Sequence, residues 1–340
     1  MGAKGIVITQ SPCRISFLGG GSDLPEYFGS RSGDVIGAAI DKYVYVTVNS
    51  LERLLEKRIL LSYSKLEKVD SPAELEHEIV RAVLQRQSYV DDGGFLDIHT
   101  YADLPSSSGV GSSSAFTVGL LQALYFLGGV FRTPYEVACE AIHIEREVLK
   151  HAGGWQDQIF SAYGGLSRIR FRGTEFTVEP VSLPTEKTEA LQRSCMLFFS
   201  NTVRRSSDIH ERIKAMPVDE RHHRTGAIAA LAAEGYEILV RSRDSQEMVV
   251  EFGRLLGKSW DIKRQIAPEV TTDQIDALYS DALDAGAAGG KLCGAGGGGF
   301  FLVVVPEEAR TRVLAALSRF TVIGVRFDTR GSAPLFARHV

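Results

Sequence analysis

Residues Leu104 to Ala115, LPSSSGVGSSSA, have the composition of a phosphate-binding turn. Glycines allow a ligand close to the backbone. A helix opening after such a turn presents unpaired N–H groups and the positive end of its dipole, which together suit an anion. Serine hydroxyls add hydrogen bonds, and one can ligate Mg²⁺. The same composition also fits a plain Ser/Gly loop before a capped helix, and composition alone leaves both readings open. A second stretch, Gly253–Ser259 (GRLLGKS), imitates a nucleotide-binding P-loop but is one residue short of that pattern. It lies inside the helical pattern MVVEFGRLLGKSWDIKRQI, so it is read as a helix surface with two glycines.

Positioning these loops requires a scaffold of strands and helices. The alternation in Ile40–Val48 (IDKYVYVTV) predicts a strand, and Leu96–Thr100 a second. Ser112–Leu127 predicts an apolar helix with serines as N-cap candidates. Pro134 opens a helix running to about Lys150. A short helix is expected from Trp155 to Tyr163, with strands at Ser167–Phe171 and Phe176–Pro180. The polar stretch Leu183–Ala190 is placed as a domain boundary, giving units 1–185 and 186–340. The second unit opens with a strand, Cys195–Ser200, followed by helices across about 205–286. A strand–glycine loop–strand spans Gly289–Val305, then a helix at about Glu307–Phe320 and closing strands. The order is mixed α+β, without regular βαβ alternation.

The bulk properties narrow the function. The chain has 340 residues, 44% hydrophobic, enough for one large domain or two smaller ones. Net charge is −4, with no basic stripe carrying interleaved aromatics, so nucleic acid is not an expected partner. Cys13, Cys139, Cys195 and Cys293 are far apart and form no CxxC pair. A reducing compartment is expected, and with it a cytoplasmic location. MGAKGIVITQSPCR lacks the apolar stretch of a signal peptide, and no apolar run predicts a membrane span.

Three stretches in order resemble the motifs of the GHMP kinases, which phosphorylate galactose, homoserine, mevalonate and similar metabolites. They are Pro12–Tyr27 (PCRISFLGGGSDLPEY), Pro105–Ala115 with Val110 for the usual leucine, and Lys291–Phe300 (KLCGAGGGGF). The resemblance spans nearly the whole chain. It implies a two-domain α+β fold: an N-terminal domain like ribosomal protein S5 domain 2, a ferredoxin-like C-terminal domain, and a site in the cleft between them. It also implies ATP and Mg²⁺ as cofactors and a small-molecule acceptor. Within the family, RISFLGGGSDLPEYF, IDKYVYVTV, GGWQDQ and GGKLCGAGGGGF are most similar to bacterial D-glycero-D-manno-heptose 7-phosphate kinases, and GGWQDQ also resembles fucokinases.

The resemblance assigns roles residue by residue. Pro105, Ser106, Ser107, Ser108, Gly109, Val110, Gly111, Ser112, Ser113 and Ser114 would hold the ATP phosphates. Ser113 matches the serine that approaches Mg²⁺, and Glu145, with Glu147 as the alternative, would be the second metal ligand. Asp157 in GGWQDQ matches the catalytic aspartate, and Arg14 the basic residue beside it. Gly20, Gly21, Ser22, Asp23, Lys291, Gly296 and Gly297 would face the acceptor. Galactokinases carry Glu-His where this chain has Gly20–Gly21, which leaves room for a larger or phosphorylated sugar. If the acceptor carries a phosphate, Arg204–Arg205 and Lys291 are the basic groups expected to meet it. The expected activity is phosphorylation of an anomeric hydroxyl, best of a heptose 7-phosphate. The alternatives are another sugar 1-kinase, a different metabolite kinase or decarboxylase, or a non-catalytic sugar sensor on the same fold. Oligomeric state is left open.

Overall fold

A computed structural model describes residues 5–51, 56–87, 95–200, 216–266 and 268–339. In chain order the first unit contains β1 (Gly5–Leu18), α1 (Pro25–Phe28), β2 (Ser32–Leu51), β3 (Ile59–Ser62), β4 (Leu66–Val69), α2 (Glu78–Gln87), β5 (Phe95–Ala102), α3 (Ser112–Leu127), α4 (Pro134–Ile142), α5 (Gln156–Tyr163), β6 (Leu166–Arg172) and β7 (Glu175–Pro180). The second contains α6 (Thr185–Ser194), β8 (Cys195–Phe199), α7 (Val218–Arg241), α8 (Ser245–Ile266), α9 (Asp273–Asp284), β9 (Gly289–Leu292), β10 (Phe300–Val304), α10 (Arg310–Ala316) and β11 (Thr321–Gly324). The closing strand is β12 (Ala333–His339).

The larger sheet runs β12-β1-β2-β5-β3-β4, and the first part of β2 also pairs β6, which pairs β7. Val44, Val46 and Val48 of β2 point into the core while the residues between them are partly exposed, the period-two pattern that makes this stretch a strand. The β1–β2 register breaks between Pro12 and Arg14 and again between Ser16 and Leu18. Proline cannot donate to the ladder, and a break of this kind re-aims the side chains beside it. Arg14 sits at the first break. α3 packs on β1 and β2, with Gly119 facing the sheet. A Cβ there would lie 2.7 Å from Ser11 Oγ, so glycine sets how closely helix and sheet approach.

The smaller sheet is antiparallel in the order β11-β8-β10-β9. Numbered within that unit the order is 4-1-3-2, which is the ferredoxin-like arrangement the resemblance implied. Phe17 of β1 meets Phe252 of α8 edge-on at 5.3 Å between centroids, and one continuous core joins the two units.

Three expectations are corrected. The helix from Pro134 does not run as α-helix to Lys150: after Ile142 it widens into a π-helical turn, His143–Val148, closed by the Leu149 N–H donating to the Ile144 carbonyl. The polar stretch 183–190 runs from the loop after β7 into α6, which begins at Thr185, so a boundary drawn between 185 and 186 cuts the first turn of that helix. Residues 333–339, assigned to the 186–340 unit, pair with β1 and so belong to the first sheet. The P-loop imitation lies wholly inside α8. Its glycines serve packing: a Cβ on Gly253 would lie 2.5 Å from the Ala288 Cβ.

Candidate active site

The N-terminus of α3 is the centre of the site. Its N-cap is Gly111 in the left-handed conformation (φ +77°), and no side chain caps the helix. The serines expected as caps therefore lie inside the first turn, and the leading N–H groups carry no side-chain acceptor. A Cβ on Gly111 would come 3.3 Å from both Arg14 Cγ and Asp157 Oδ2, so the bare backbone leaves the helix end open beside that pair.

Arg14 and Asp157 form a two-pronged ion pair. Arg14 Nε donates to Asp157 Oδ1 at 2.7 Å and Nη2 to Oδ2 at 2.6 Å, while Nη1 donates to the Gly109 carbonyl at 2.6 Å. The Arg14 backbone N–H donates to the Val110 carbonyl at 2.8 Å. One arginine thus ties β1, the glycine–serine loop and α5 together. Arg14 is buried, whereas the Asp157 side chain keeps a quarter of its surface exposed, so its carboxylate is reachable from solvent.

The loop itself divides into exposed and structural parts. Pro105, Ser106 and Ser107 are exposed, Ser107 with a positive φ of 57°. Ser108 is buried, and its hydroxyl donates to the Pro105 carbonyl at 2.7 Å. The Ser108 carbonyl accepts from the Phe300 N–H at 3.0 Å, and a Cβ on Gly109 would lie 2.6 Å from the Cys293 carbonyl. The second and third glycine motifs are therefore stacked backbone on backbone. Gly296 and Gly297 of the third motif lie against Val270, whose carbonyl accepts the Gly297 N–H at 2.8 Å.

Glu145 is carried inward by the π-helical turn and is buried, while Glu147 is exposed and pairs with Lys150. Widened turns of this kind recur at functional sites. Glu145 Oε2 accepts from Ser114 Oγ at 2.9 Å and Gln158 Nε2 at 2.8 Å, and Oε1 has no partner among the described residues. Burial pushes its carboxyl above the usual range, with the neighbouring polar side chains of Thr117, Ser114 and Gln158 opposing. An unpartnered buried carboxylate oxygen facing a serine-rich turn fits a divalent cation. Ser113, the expected ligand, is exposed on that turn, and Ser114 is the serine that touches Glu145.

Among the residues expected to face the acceptor, Asp23 is buried. Its Oδ1 accepts from the Gly21 N–H at 2.9 Å and its Oδ2 from the Gln156 N–H at 3.3 Å. Burial, and after it the nearby Asp157, push its carboxyl up. A Cβ on Gly154 would lie 1.8 Å from Asp23 Oδ2, so the glycine of GGWQDQ makes room for this carboxylate. Ser22 is fully buried and binds the Gly19 carbonyl and the Asp34 N–H, so it braces the turn and its hydroxyl does not reach the acceptor side as expected. A Cβ on Gly20 would be ringed by Ser16 Oγ at 3.5 Å, Gln156 Nε2 at 3.9 Å and Lys291 Nζ at 3.9 Å, and one on Gly21 would meet nothing within 4 Å among the described residues. Lys291 is buried and donates to the Phe17 carbonyl at 3.2 Å. Arg204–Arg205 lie outside the described residues.

Sequence reasoning missed Gln156, Gln158, Ser16 and Lys263. Lys263 Nζ donates to the Gly294 carbonyl at 2.6 Å. Its signal was its register: it continues the stripe Phe252, Leu256, Ser259, Trp260 on the buried face of α8, where a charge is out of place.

Comparison with known proteins agrees with this geometry. Residues 75–165 match the family model of the GHMP kinases N terminal domain, and residues 246–322 that of the GHMP kinases C terminal. The chain is 31% identical over 324 residues to a D-glycero-alpha-D-manno-heptose 7-phosphate kinase of Campylobacter jejuni, covering 92% of this chain and 93% of that protein. It is 26% identical to an L-fucokinase/L-fucose-1-P guanylyltransferase of Bacteroides fragilis, over 86% of this chain and 34% of that one. The crystal structure of a D-glycero-D-manno-heptose 1-phosphate kinase from Bacteroides thetaiotaomicron superposes with a TM-score of 0.75 at 26% identity, covering 97% of this chain and 99% of that one. With both family models matched in order and a relative aligned almost end to end, the chain belongs to the GHMP kinase family.

Proposed function

We propose that this enzyme transfers the γ-phosphoryl group of ATP to the anomeric hydroxyl of D-glycero-D-manno-heptose 7-phosphate, giving the 1,7-bisphosphate for nucleotide-activated heptose synthesis. The coarser statement, an ATP-dependent sugar kinase, rests on family membership and on the near-full-length heptose kinase relative. The observation that carries the mechanism is the Arg14–Asp157 pair set against the uncapped N-terminus of α3.

Phosphoryl transfer asks a protein mainly for positioning and charge stabilisation. The α3 N–H groups and the loop from Pro105 to Ser114 hold the ATP phosphates. Asp157 faces the acceptor hydroxyl and takes its proton as the oxygen bonds to the γ-phosphorus and the bond to the β-phosphate bridging oxygen breaks. A carboxylate is a weak base, which suffices when the proton leaves late in a loose transition state. Arg14 fixes both oxygens of that carboxylate, so one orientation is presented. Glu145 with the Ser112–Ser114 turn would hold Mg²⁺, which when bound supplies charge neutralisation at the ATP phosphates. Asp23, Gly20 and Gly21 shape the acceptor side.

The two heptose kinase relatives differ in which phosphate their names place on the heptose. The test is therefore ADP release with heptose 7-phosphate, heptose 1-phosphate, fucose and galactose, with ³¹P NMR of the product. The expected result is fastest turnover on the 7-phosphate and a new anomeric phosphate. A preference for the 1-phosphate would reassign the reacting hydroxyl. Absence of turnover on every sugar would leave the fold serving as a sensor.

A further inference from the structure

We propose that Lys263 and Lys291 form an anion-binding subsite that receives the phosphate the acceptor already carries. The inference rests on the phosphorylated-heptose reading and adds to it a residue, Lys263, from a helix outside the three motifs.

Among the described residues, both lysines are held by backbone carbonyls and neither forms an ion pair. Lys291 projects from β9 to the Phe17 carbonyl, and Lys263 from α8 to the Gly294 carbonyl. Neither has a carboxylate within ion-pair distance among the described residues, whereas the adjacent Arg14 is matched by Asp157. Burying an ammonium is costly unless it is paired, and a backbone carbonyl is a partial partner. A ligand dianion supplies what is missing. The surroundings offer further donors: Ser16 Oγ is buried with no partner among the described residues, and Ser16 Oγ and the Gln156 side-chain Nε2 both border Gly20 beside Lys291. Gly20 is the position where a side chain would reach toward the Lys291 ammonium, so its absence leaves that ammonium open to the acceptor. The ATP phosphates have their own cradle at the α3 N-terminus.

Electrostatics point the same way. Burial holds Lys263 down at about 7, with Lys291 and Arg14 adding to the effect, and holds Lys291 at about 8, with Arg14 adding. Cys293 and Asp23 oppose in both cases but do not offset the burial.

The experiment is titration calorimetry on the full chain with a non-hydrolysable ATP analogue present. Heptose 7-phosphate and unphosphorylated heptose are each titrated into wild type, Lys263→Met, Lys291→Met and the charge-preserving Lys→Arg variants. Both Met variants are expected to lose roughly 10²-fold more affinity for the phosphorylated than for the unphosphorylated sugar, the scale for removing one partner of a buried charge pair. The Arg variants are expected to recover part of that loss. Equal losses on both sugars, or a loss of ATP-analogue affinity instead, would overturn the assignment. The ligand-free Met variants are expected to melt no lower than wild type, because a charge without an ion-pair partner, buried at Lys291 and half-buried at Lys263, has been removed; a large drop would mark the lysines as structural. If the enzyme turns out to prefer an unphosphorylated sugar, inorganic phosphate judges the subsite separately. Stabilisation of wild type but not of Lys263→Met supports it, and no stabilisation of wild type refutes it.

Discussion

Asp157 is gripped by two nitrogens of one guanidinium, so replacing either partner tests a different part of the mechanism. Asp157→Asn keeps the size and removes the proposed proton acceptor. It is expected to lower kcat by roughly 10²–10⁴-fold with little change in the KM for ATP. Steady-state ADP release checks this, and near-normal kcat would remove Asp157 from the chemistry. The lysines give a second residue-scale expectation, in stability. An amine whose folded pKa lies below its ordinary 10.5 binds protons less tightly folded than unfolded. The unfolded chain then carries more protons above about pH 7, so the contribution to stability rises with pH there. Buried Cys13 and Cys195, pushed up to about 12, act with the opposite sign above their ordinary 9.0. The Tm difference between wild type and Lys263→Met should therefore move in favour of wild type between pH 7 and about 9 in the absence of ligand. The groups acting on Lys263 are Lys291 and Arg14, which disfavour its charge, and Cys293 and Asp23, which favour it, and a flat difference would mean that the latter two offset burial. Arg14 and Asp157 were legible because each sits in a motif. Lys263 was not, because a lysine on a helix reads as solvated until its neighbours are placed.

At the scale of elements, what the sequence shows depends on how local the cause is. The α3 boundaries were readable because a serine-rich start opens a long apolar run, although the cap proved to be Gly111 and not a serine. The π-helical turn was not, because nothing in HIEREV departs from α-helical periodicity; the turn is held by where Glu145 and Ile144 are buried. Two substitutions separate stability from function at this scale. Thr133 caps α4: its Oγ1 accepts the Glu136 N–H at 3.3 Å, and the Glu136 carboxylate accepts the Thr133 N–H at 2.8 Å. Thr133→Ala is expected to cost about 1 kcal/mol of stability and leave kinetics unchanged, since this cap lies outside the site. Gly289 at the start of β9 instead touches α8, where a Cβ would lie 2.0 Å from the Gly253 carbonyl. Gly289→Ala is expected to cost about 1–3 kcal/mol and also to raise the acceptor KM, because it pushes apart the two elements that carry Lys263 and Lys291. Denaturant unfolding with kinetics on both variants checks this. An unchanged KM in Gly289→Ala would mean that α8 and β9 absorb the methyl without moving the lysines.

For the molecule as a whole, the question is whether its two halves are separable. A polar run near residue 185 suggests that they are, because local composition is all that a boundary reading uses. The fold answers otherwise through contacts far apart in sequence. β12 closes the edge of the first sheet by pairing Gly5 with His339 and Ile6 with Arg338. Ser11 Oγ lies 2.8 Å from Ser332 Oγ, and the Asp328 N–H donates to the Ala39 carbonyl at 2.9 Å. On the other side Phe17 packs on Phe252, and Leu18 lies against Gly235 of α7. Residues 1–185 alone would lose the strand covering β1 and expose the core shared with α7 and α8. An uncovered edge beside exposed apolar surface favours association over folding. That fragment is expected to show no cooperative melt and no near-ultraviolet circular dichroism, while the full chain melts in a single transition by calorimetry. Two resolved transitions in the full chain, or a well-folded fragment, would show that the shared core is not needed for either half. The cleft would then be a junction between independent domains. A single transition means instead that Arg14, Asp157 and the two lysines are held by one cooperative unit, and that loosening any part of it loosens the site.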